Sequence, residues 1–345
     1  MNACIVTLIK TNNSGSYWQG RTLGIALEQL GFNVYYYDYN YLIKNRMAYY
    51  RAIPGIMLHE GIKQTVQYIK SLVSFHKLRK QLCFSKKTNA EDCIVLGSDT
   101  IWSLDNKMLN AKRDIFWGKV FSGKKIITYA GSVGNACEEQ FAKWNDIEKV
   151  IDKWSAISVR DEHTKEIISK FTTKNIETVC DPTMLLSKEY YEKIIERKME
   201  TDYIFLYLFT DLSEEQSVQI KKYAKENKLK IIRGVNGVTM KSADYSTENS
   251  PMVFLQYMIY AKYVITDTFH GTIFSINLNK QFITMNRGKN KVNDALKMYN
   301  FYDRLVSKDE QLIDKLTTKI EYSEKMDRLN DVRKKSWQYL KESVM

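Results

Sequence analysis

His270 occupies the segment of the sequence most suited to chemistry, because it stands with Gly271 between two apolar runs. The pattern predicts a strand over Tyr263–Thr266, a tight turn, and a helix over Thr272–Asn277. In open α/β sheets, ligands bind beyond the carboxyl ends of the strands. The N-terminus of the following helix attracts anions to the same place. We therefore expect this turn to hold an anion beside a titratable imidazole.

Arg160 is the second residue whose type and place suggest chemistry. It directly follows the predicted strand Ala156–Val159, so its guanidinium would lie at the carboxyl edge of a sheet. There a guanidinium can form paired hydrogen bonds with a carboxylate or a phosphate. The sequence supports equally well an ion pair between Arg160 and the neighbouring Asp161 or Glu162.

Glycine follows the ends of four predicted strands, in the segments Asn13–Ser16, Gly97–Asp99, Gly131–Ser132 and His270–Gly271. Glycine allows backbone amides to approach a ligand closely or to adopt a positive φ. One such glycine is commonly an ordinary turn, but four at corresponding places favour a shared cleft. No GxGxxG motif follows the first strand and no Walker lysine loop is present, which argues against a dinucleotide enzyme and a P-loop nucleotidase.

Strand and helix patterns alternate along the chain, which predicts an α/β fold with mainly parallel sheets. The predicted strands form two series: Cys4–Ile9, Phe32–Tyr37, Cys93–Leu96, Lys125–Ala130, Ala156–Val159 and Ile176–Val179, then Tyr203–Phe209, Lys230–Arg233, Tyr263–Thr266 and Phe282–Met285. The predicted helices are Tyr17–Leu30, Ile62–Leu82, Phe141–Trp154, Thr164–Phe171, Glu214–Asn227, Val253–Tyr260, Thr272–Asn277 and Val292–Tyr299. We therefore predict two Rossmann-like doubly wound domains facing a cleft, residues 1–185 with Arg160 and residues 195–308 with His270. A helical tail, 309–345, follows.

Composition limits the class of protein. The 345 residues suffice for about two domains, and 44% hydrophobic with 27% charged residues is typical of a globular chain. The formal net charge of +12 favours anionic partners such as phosphates or an acidic membrane surface. Nucleic acid is the weaker option, because no nucleic-acid-binding motif accompanies the lysines.

Cysteines and apolar runs point to an intracellular protein. The cysteines are far apart and lack metal-ligand spacing, so we expect reduced thiols and no metal site; they are Cys4, Cys83, Cys93, Cys137 and Cys180. The N-terminus lacks the basic flank of a signal peptide, and no segment approaches about 20 consecutive apolar residues. A cytoplasmic location is expected.

The segment 62–87 has two interpretations. It combines many lysines with apolar residues at Ile62, Val66, Ile69, Val73 and Leu82. Such a basic amphipathic helix can lie on the inner face of a membrane, which would make the protein peripheral there. A helix packed on the sheet with a solvated basic face is the commoner arrangement.

A series of short motifs, taken in chain order, resembles the polysaccharide pyruvyl transferase family. The matching blocks extend over about residues 5 to 290 and are Asn13–Gln19, Gly97–Trp102, Tyr129–Ser132, Ser158–Asp161, Asp181–Thr183 and Ile265–Thr272. The resemblance implies a fold similar to glycosyltransferase B. It also implies transfer of pyruvate from phosphoenolpyruvate to a sugar of a cell-surface polysaccharide or its lipid-linked precursor, which gives a cyclic ketal.

The same resemblance implies roles for individual residues. Family members place an arginine at the position of Arg160 and a histidine at that of His270, close to phosphoenolpyruvate. Some members carry a second arginine where this chain has Thr268. Either Arg287 supplies the missing cation or the donor site is weakened. The residues expected to bind substrate are Asn13, Gly15, Gln19, Ser98, Asp99, Gly131, Ser132, Asp267, Thr268, Gly271 and Arg287.

The expected mechanism needs a general acid and base but no cofactor or metal. Phosphoenolpyruvate, the donor substrate, would lie between the domains, with its charges paired by Arg160 and Arg287. His270 would move protons to and from the reacting groups. Asp99 and Asp267 would orient the acceptor hydroxyls or the imidazole, or else simply cap a turn or helix.

Two other functions fit the same sequence. A glycosyltransferase of the same two-domain shape, using a nucleotide sugar, would share the cleft and the basic charge. A non-catalytic assembly protein that binds anionic glycan lipids through its lysines is the second. The motif blocks argue against the latter, because they lie at strand ends and the lysines do not.

Overall fold

Two parallel β-sheets organise the chain in a computed structural model, which describes residues 1–39, 43–89, 91–195, 199–234, 243–288, 290–307 and 312–345. The first sheet has the order β3-β2-β1-β4-β5-β6-β7 and the second the order β10-β9-β8-β11-β12-β13. The strands are β1 Asn2–Val6, β2 Asn33–Tyr37, β3 Phe84–Ser85, β4 Cys93–Leu96, β5 Ile126–Thr128, β6 Trp154–Val159, β7 Ile176–Thr178, β8 Tyr203–Tyr207, β9 Lys230–Arg233, β10 Tyr245–Ser246, β11 Tyr263–Thr266, β12 Gln281–Met285 and β13 Leu305–Val306. The predicted α/β class with two Rossmann-like halves is confirmed.

Helices cover both faces of the sheets. They are α1 Ser14–Gln29, α2 Ile43–Arg51, α3 Ile53–Glu60, α4 Ile62–Lys80, α5 Lys107–Asn110, α6 Arg113–Phe116, α7 Glu138–Ala142, α8 Ile147–Ile151, α9 Glu162–Ile168, α10 Lys188–Lys193, α11 Glu214–Glu226, α12 Pro251–Tyr260, α13 Phe269–Asn277, α14 Asn290–Met298, α15 Leu312–Thr317 and α16 Met326–Val344. Short 3₁₀ turns lie at Pro182–Met184, Tyr302–Arg304 and Tyr322–Lys325. None of the helices in these described ranges has both the length and the apolar character needed to traverse a bilayer.

The central strands are buried on both faces, which explains why they read as continuous apolar runs. All four residues of β4 and all five of β8 are buried, as expected for parallel strands covered by helices on both sides. In both sheets the strand order reverses beside the first strand, between β1 and β4 and between β8 and β11. Ligands of this fold class bind at that reversal.

Some predicted elements differ from the structure. The predicted helix over Phe141–Trp154 is two short helices, α7 and α8, and Trp154 begins β6. The Trp154 indole is buried, donates to the carbonyl oxygen of Trp117 at 3.1 Å and stacks on Trp102. The basic segment 62–87 is not one helix either, since α4 ends at Lys80 and β3 follows. β3, β10 and β13 were missed because two-residue edge strands carry no periodic signal.

The last helix connects the two halves. α16 begins beside the second sheet, where Arg328 donates to the carbonyl oxygen of Met298 at 2.9 Å. It ends on the first half, where the Ser336 hydroxyl accepts from the backbone N–H of Cys180 at 2.8 Å. The Tyr339 hydroxyl donates to a backbone carbonyl of β5 at 2.9 Å. The chain therefore crosses between the halves twice, once after β7 and once through α16.

Candidate active site

The carboxyl ends of β4, β5 and β6 form one continuous edge of the first sheet. Isolated bridges join Asp99 to Gly131 and Gly131 to Val159, and the backbone N–H of Arg160 donates to the carbonyl oxygen of Gly131 at 3.4 Å. Segments that are 28 or more residues apart in sequence thus lie side by side. The glycine segments Gly97–Asp99 and Gly131–Ser132 therefore lie next to Arg160 at this edge.

Arg160 is buried between two carboxylates. Its Nη1 lies 3.1 Å from Asp181 Oδ2 and its Nη2 lies 3.4 Å from Asp99 Oδ1. The guanidinium also lies over the ring of Phe269, from the second half, at 4.2 Å. Asp161, the local partner that the sequence allowed, instead caps α9 by accepting from the backbone N–H of Thr164 at 2.8 Å. Arg160 therefore faces the space between the two sheets.

His270, near the start of α13, lies on the other side of the same carboxylate. Its Nε2 is 3.9 Å from Asp181 Oδ2, is shielded from solvent and has no hydrogen-bond partner among the described residues. A Cβ added to Gly15 would lie 2.3 Å from the imidazole. The backbone of α1 therefore packs directly on the ring, which only glycine permits. The structure brings His270 and Arg160 together around Asp181.

Charges around the site set the protonation states. Burial raises the pKa of Asp99, but the charges of Arg160 and Lys291, that of His270 when it is protonated, and a 2.7 Å hydrogen bond from the Ser16 hydroxyl hold it well below its usual range. Burial lowers the pKa of His270 below 6.5, although Asp181 and Asp99 oppose that effect. The imidazole is therefore mainly neutral at pH 7.

Residues at the start of α1 hold the neighbouring loops of the site in place through hydrogen bonds. Asn13 caps the helix by accepting from the backbone N–H of Ser16 at 3.0 Å. Gln19 donates to Thr7 at 2.9 Å and accepts from the Ser98 hydroxyl. Both Gln19 and Ser98 are fully buried. Their contacts join α1 to the loop after β4, so in this structure they support the site.

The remaining candidates of the first half also have local partners. Gly131 bridges the strand ends, and the Ser132 hydroxyl accepts from the backbone N–H of Gly134 at 3.1 Å. Both residues are buried within the loop after β5. Direct contact between these two residues and a substrate stays a prediction.

Thr268 caps α13. Its hydroxyl accepts from the backbone N–H of Gly271 at 2.9 Å and lies 3.0 Å from the Thr266 hydroxyl. A Cβ added to Gly271 would lie 2.1 Å from the Thr266 oxygen, so the turn requires glycine. Thr268, at the position where some family members carry an arginine, thus caps the N-terminus of α13.

Asp267 and Arg287 contact each other at the same edge. The Asp267 carboxylate accepts from the backbone N–H groups of Phe209 and Thr210 at 2.8 and 2.9 Å. Nε of Arg287 is 3.7 Å from that carboxylate, and Nη2 donates to the carbonyl oxygen of Asp211 at 3.1 Å. In this structure both residues hold the loop after β8, and their contact with substrate stays a prediction.

A cavity of about 330 Å³ has Thr100, the residue after Asp99, in its lining. Its lining is mostly hydroxyl and amide groups, with one cation contributed by α14 of the second half; the residues are Thr100, Ser103, Asp105, Asn106, Gly134, Asn135 and Lys291. A larger cavity of about 390 Å³ contains neither Arg160 nor His270 in its lining and lies between α9, α14 and α16. The smaller cavity has neither of these two residues in its lining either. It is related to the charged cluster through Thr100, which follows Asp99, and through Lys291, whose charge acts on Asp99 and His270.

Sequence reasoning missed three members of this cluster: Asp181, Phe269 and Lys291. A signal for Asp181 was present, since it opens an Asp-Pro-Thr segment just after a strand. Lys291 carried no such signal among the many lysines. Within the described parts of the chain, no group of three His, Cys, Asp or Glu side chains is arranged to hold a metal ion.

Solved structures share the fold at very low sequence identity. A putative UDP-N-acetylglucosamine 2-epimerase of Listeria monocytogenes matches 99% of this chain and 91% of its own, with TM-score 0.51 and 9% identity. UDP-GlcNAc 2-epimerase from Neisseria meningitidis matches 100% and 99%, with TM-score 0.49 and 8% identity. Identities this low show the fold alone, which is glycosyltransferase-B-like. No curated protein sequence matches the chain significantly.

The family comparison is more specific than the structural one. The sequence model of the polysaccharide pyruvyl transferase family matches residues 13–289, a span that begins at the cap of α1 and contains both Arg160 and His270. This span covers most of the chain and includes the predicted motif blocks. The chain therefore belongs to the polysaccharide pyruvyl transferase family.

Proposed function

We propose that the protein transfers pyruvate from phosphoenolpyruvate to two hydroxyls of a sugar, in a cell-surface polysaccharide or its lipid-linked precursor. The product is a cyclic ketal. Family membership supports the reaction class. The observation that carries the proposal is the meeting of Arg160 and His270 around Asp181, between the two sheets.

Positively charged and dipolar groups of the site are suited to bind the negative charges of the donor. Phosphoenolpyruvate carries a phosphate and a carboxylate, so its site must supply positive charge with few waters. Arg160 supplies a buried guanidinium, and Nε of that group has no hydrogen-bond partner among the described residues. The N-termini of α1 and α13, which meet where Gly15 contacts His270, add their dipoles.

Lys291 is the further cation that we assign to the donor. Its charge acts on both Asp99 and His270, and it lines the cavity that contains Thr100. Arg287 lies at a different place, against Asp267 and the loop after β8. Lys291 is therefore better placed to compensate for the arginine that Thr268 replaces. A lysine contributes a point charge and lacks the planar fork of a guanidinium.

His270 acts as the general acid and base. It donates a proton to the methylene carbon of phosphoenolpyruvate, which makes C2 electrophilic. One sugar hydroxyl attacks C2 and returns a proton to His270. The C–O bond to phosphate breaks, and the phosphate leaves with a proton from His270. The second hydroxyl then attacks C2, gives its proton to His270 and closes the ring. Donor and diol are thus converted to ketal and inorganic phosphate, with no oxidation or reduction.

Asp181 prepares His270 for this step. The neutral imidazole must gain a proton before it can donate one, and the carboxylate at 3.9 Å stabilises the imidazolium. The bound donor, itself an anion, shifts the same equilibrium further. The cavity that includes Thr100 and Lys291, lined mostly by hydroxyls and amides, is then left for the acceptor sugar.

Phosphate release from phosphoenolpyruvate, measured across a panel of acceptor sugars with mass spectrometry of the products, tests the proposal. We expect His270→Ala to lose about 10²–10⁴-fold in rate, while the exposed His76→Ala keeps the activity. Full activity of His270→Ala would remove the imidazole from the mechanism.

A ligand-binding comparison tests the donor class. We expect phosphoenolpyruvate to raise the melting temperature of the protein. The alternative function, a glycosyltransferase, would instead give stabilisation by a nucleotide sugar such as UDP-GlcNAc, without phosphate release from phosphoenolpyruvate. That result would contradict the proposal.

A further inference from the structure

Helices α3 and α4 expose an unusual amount of apolar surface. Six large apolar side chains on them are between 41% and 81% exposed, and we call these the apolar patch: Met57, Leu58, Ile62, Val66, Ile69 and Val73. None of the residues of α3 is buried. Single exposed apolar residues are ordinary, but a contiguous group marks an interaction site.

The patch faces away from the protein core. At 100° per residue, its four members on α4 fall within about 60° of one another on the helix. The buried side chains of α4 lie on a different side of the helix; they are Thr65, Ser71, Leu72 and Phe75. The helix is therefore packed on the protein without using the patch. The helix is packed on the protein with an exposed basic face, as in the commoner arrangement, but four of its apolar residues stay exposed.

Lysines border the patch on one flank. Lys63, Lys70 and Lys77 are exposed and lie within roughly 60–100° of Ile62 on the helical wheel. Lys80 is the last residue of α4 and adds a fourth positive charge. In the sequence from position 47 to position 80, Glu60 is the only acidic residue. Apolar side chains beside a row of lysines form the pattern of a helix that lies in a membrane interface.

The helix that carries the patch is joined to the site. Arg79 donates to the carbonyl oxygen of Thr11 at 3.2 Å and to Asn12, in the loop that leads to Asn13 and α1. Gln67 donates to the carbonyl oxygen of Ser246, from the second half, at 2.5 Å. A partner held by α4 would therefore be linked through the Thr11–Asn13 loop to the helix that packs on His270.

We propose that α3 and α4 dock on an anionic lipid bilayer. The apolar patch enters the headgroup region, and Lys63, Lys70, Lys77 and Lys80 pair with lipid phosphates. The charge of the flank argues for this partner. A second copy of the chain would bring the same positively charged flank and no opposite charge for the lysine row, whereas an anionic bilayer supplies that charge. The inference goes beyond the proposed function and does not depend on it.

Vesicle flotation of the full chain tests the proposal, with phosphatidylcholine vesicles against vesicles that also contain phosphatidylglycerol. We expect binding to the anionic vesicles that weakens as salt is added. The variant Lys63→Gln/Lys70→Gln/Lys77→Gln should bind about 100-fold more weakly, since each lysine near the surface contributes about a fivefold gain. The matched control Lys221→Gln/Lys222→Gln/Lys225→Gln, which removes three exposed lysines of α11, should bind like the wild type.

A second pair of variants tests the patch itself. We expect Leu58→Gln/Ile62→Gln/Ile69→Gln to weaken vesicle binding at least about tenfold. The control Val120→Gln/Val218→Gln alters exposed valines elsewhere, at 48% and 66% exposure, and should not. Phosphate release with a water-soluble acceptor should be the same in all variants, so failure here leaves the proposed function untouched.

Three outcomes would overturn the proposal. The first is that the wild type does not bind anionic vesicles. The second is an equal loss of binding in the lysine variant and its α11 control, because that result shows only an effect of net charge. The third is a dimer in analytical ultracentrifugation that the patch variant dissociates, which would assign the patch to a second copy of the chain.

Discussion

The carboxyl edges of the two sheets are built differently. At the first edge the ionised groups pair with one another: Asp99, Arg160 and Asp181 are each at least 94% buried and lie within 3.4 Å of a partner. At the second edge the polar groups mostly cap backbone, as Thr268 does for α13. The group that we propose to react there is His270, and the carboxylate next to it, Asp181, belongs to the first half.

Because of this difference, substitutions at the two edges should affect the stability and the activity of the protein to different extents. A buried ion pair that loses one member leaves an uncompensated charge in a poorly solvated place, which costs far more than a surface pair. His270 is mainly neutral and makes no hydrogen bond through Nε2 within the described residues. We therefore expect substitutions at the first edge to reduce both stability and activity, and those around the imidazole to reduce mainly activity.

Arg160→Gln should have the largest effect. It leaves two carboxylates buried without their cation, so we expect a loss of about 3–5 kcal/mol in the free energy of unfolding. The rate should fall by about 10²–10³-fold, because a charge that stabilises the leaving phosphate is gone. Urea denaturation and phosphate release measure the two effects. Lys119→Gln, which breaks the exposed pair with Asp146, is the control and should change neither.

Gly15→Ala should reduce activity with a smaller loss of stability. The added Cβ would lie 2.3 Å from the imidazole, so the ring must move, and a displacement of about 1 Å can cost 10²-fold in rate. Gly55→Ala is the matched control, since a Cβ there meets nothing within 4 Å. Wild-type turnover in Gly15→Ala would show that the imidazole position does not matter.

Asp181→Asn should change the pH dependence of the rate. Asp181 raises the pKa of His270 against the effect of burial, so its neutralisation lowers that pKa further. The step needs the protonated imidazole, and the rate therefore falls as the pH rises through this pKa. We expect the fall to occur at lower pH in the variant, measured as kcat/KM against pH. An unchanged profile would leave Asp181 with only a structural role.

Lys291→Gln should have the smallest effect, seen mainly in binding of the donor. We expect the KM for phosphoenolpyruvate to rise about tenfold, which corresponds to about 1.4 kcal/mol, with a smaller change in kcat. Arg287→Gln, whose guanidinium is held by Asp267, should raise that KM less. The opposite order would assign the compensating cation to Arg287.

The sequence predicted the strands and the two central residues because both depend on local signals. Buried parallel strands are continuous apolar runs, and Arg160 and His270 each follow one. The partners of these residues depend on tertiary structure. Asp181 lies close to Arg160 only because β7 is adjacent to β6, and Lys291 reaches the cluster from the other half. α4 has apolar residues on two sides, so periodicity alone did not say which side faces the core.

The double crossing of the chain limits how the cleft can open. Asn277 of α13 donates to the carbonyl oxygens of Thr183 and Leu186 in the first crossing, at 2.7 and 3.0 Å. Trp337 of α16 donates to Leu185 in the same segment at 2.9 Å. Two adjacent connections form a hinge between the halves, which allows one half to rotate about a single axis relative to the other and resists sliding or twisting between them. Substrate entry and product exit would then swing the imidazole away from the guanidinium and back along a single arc.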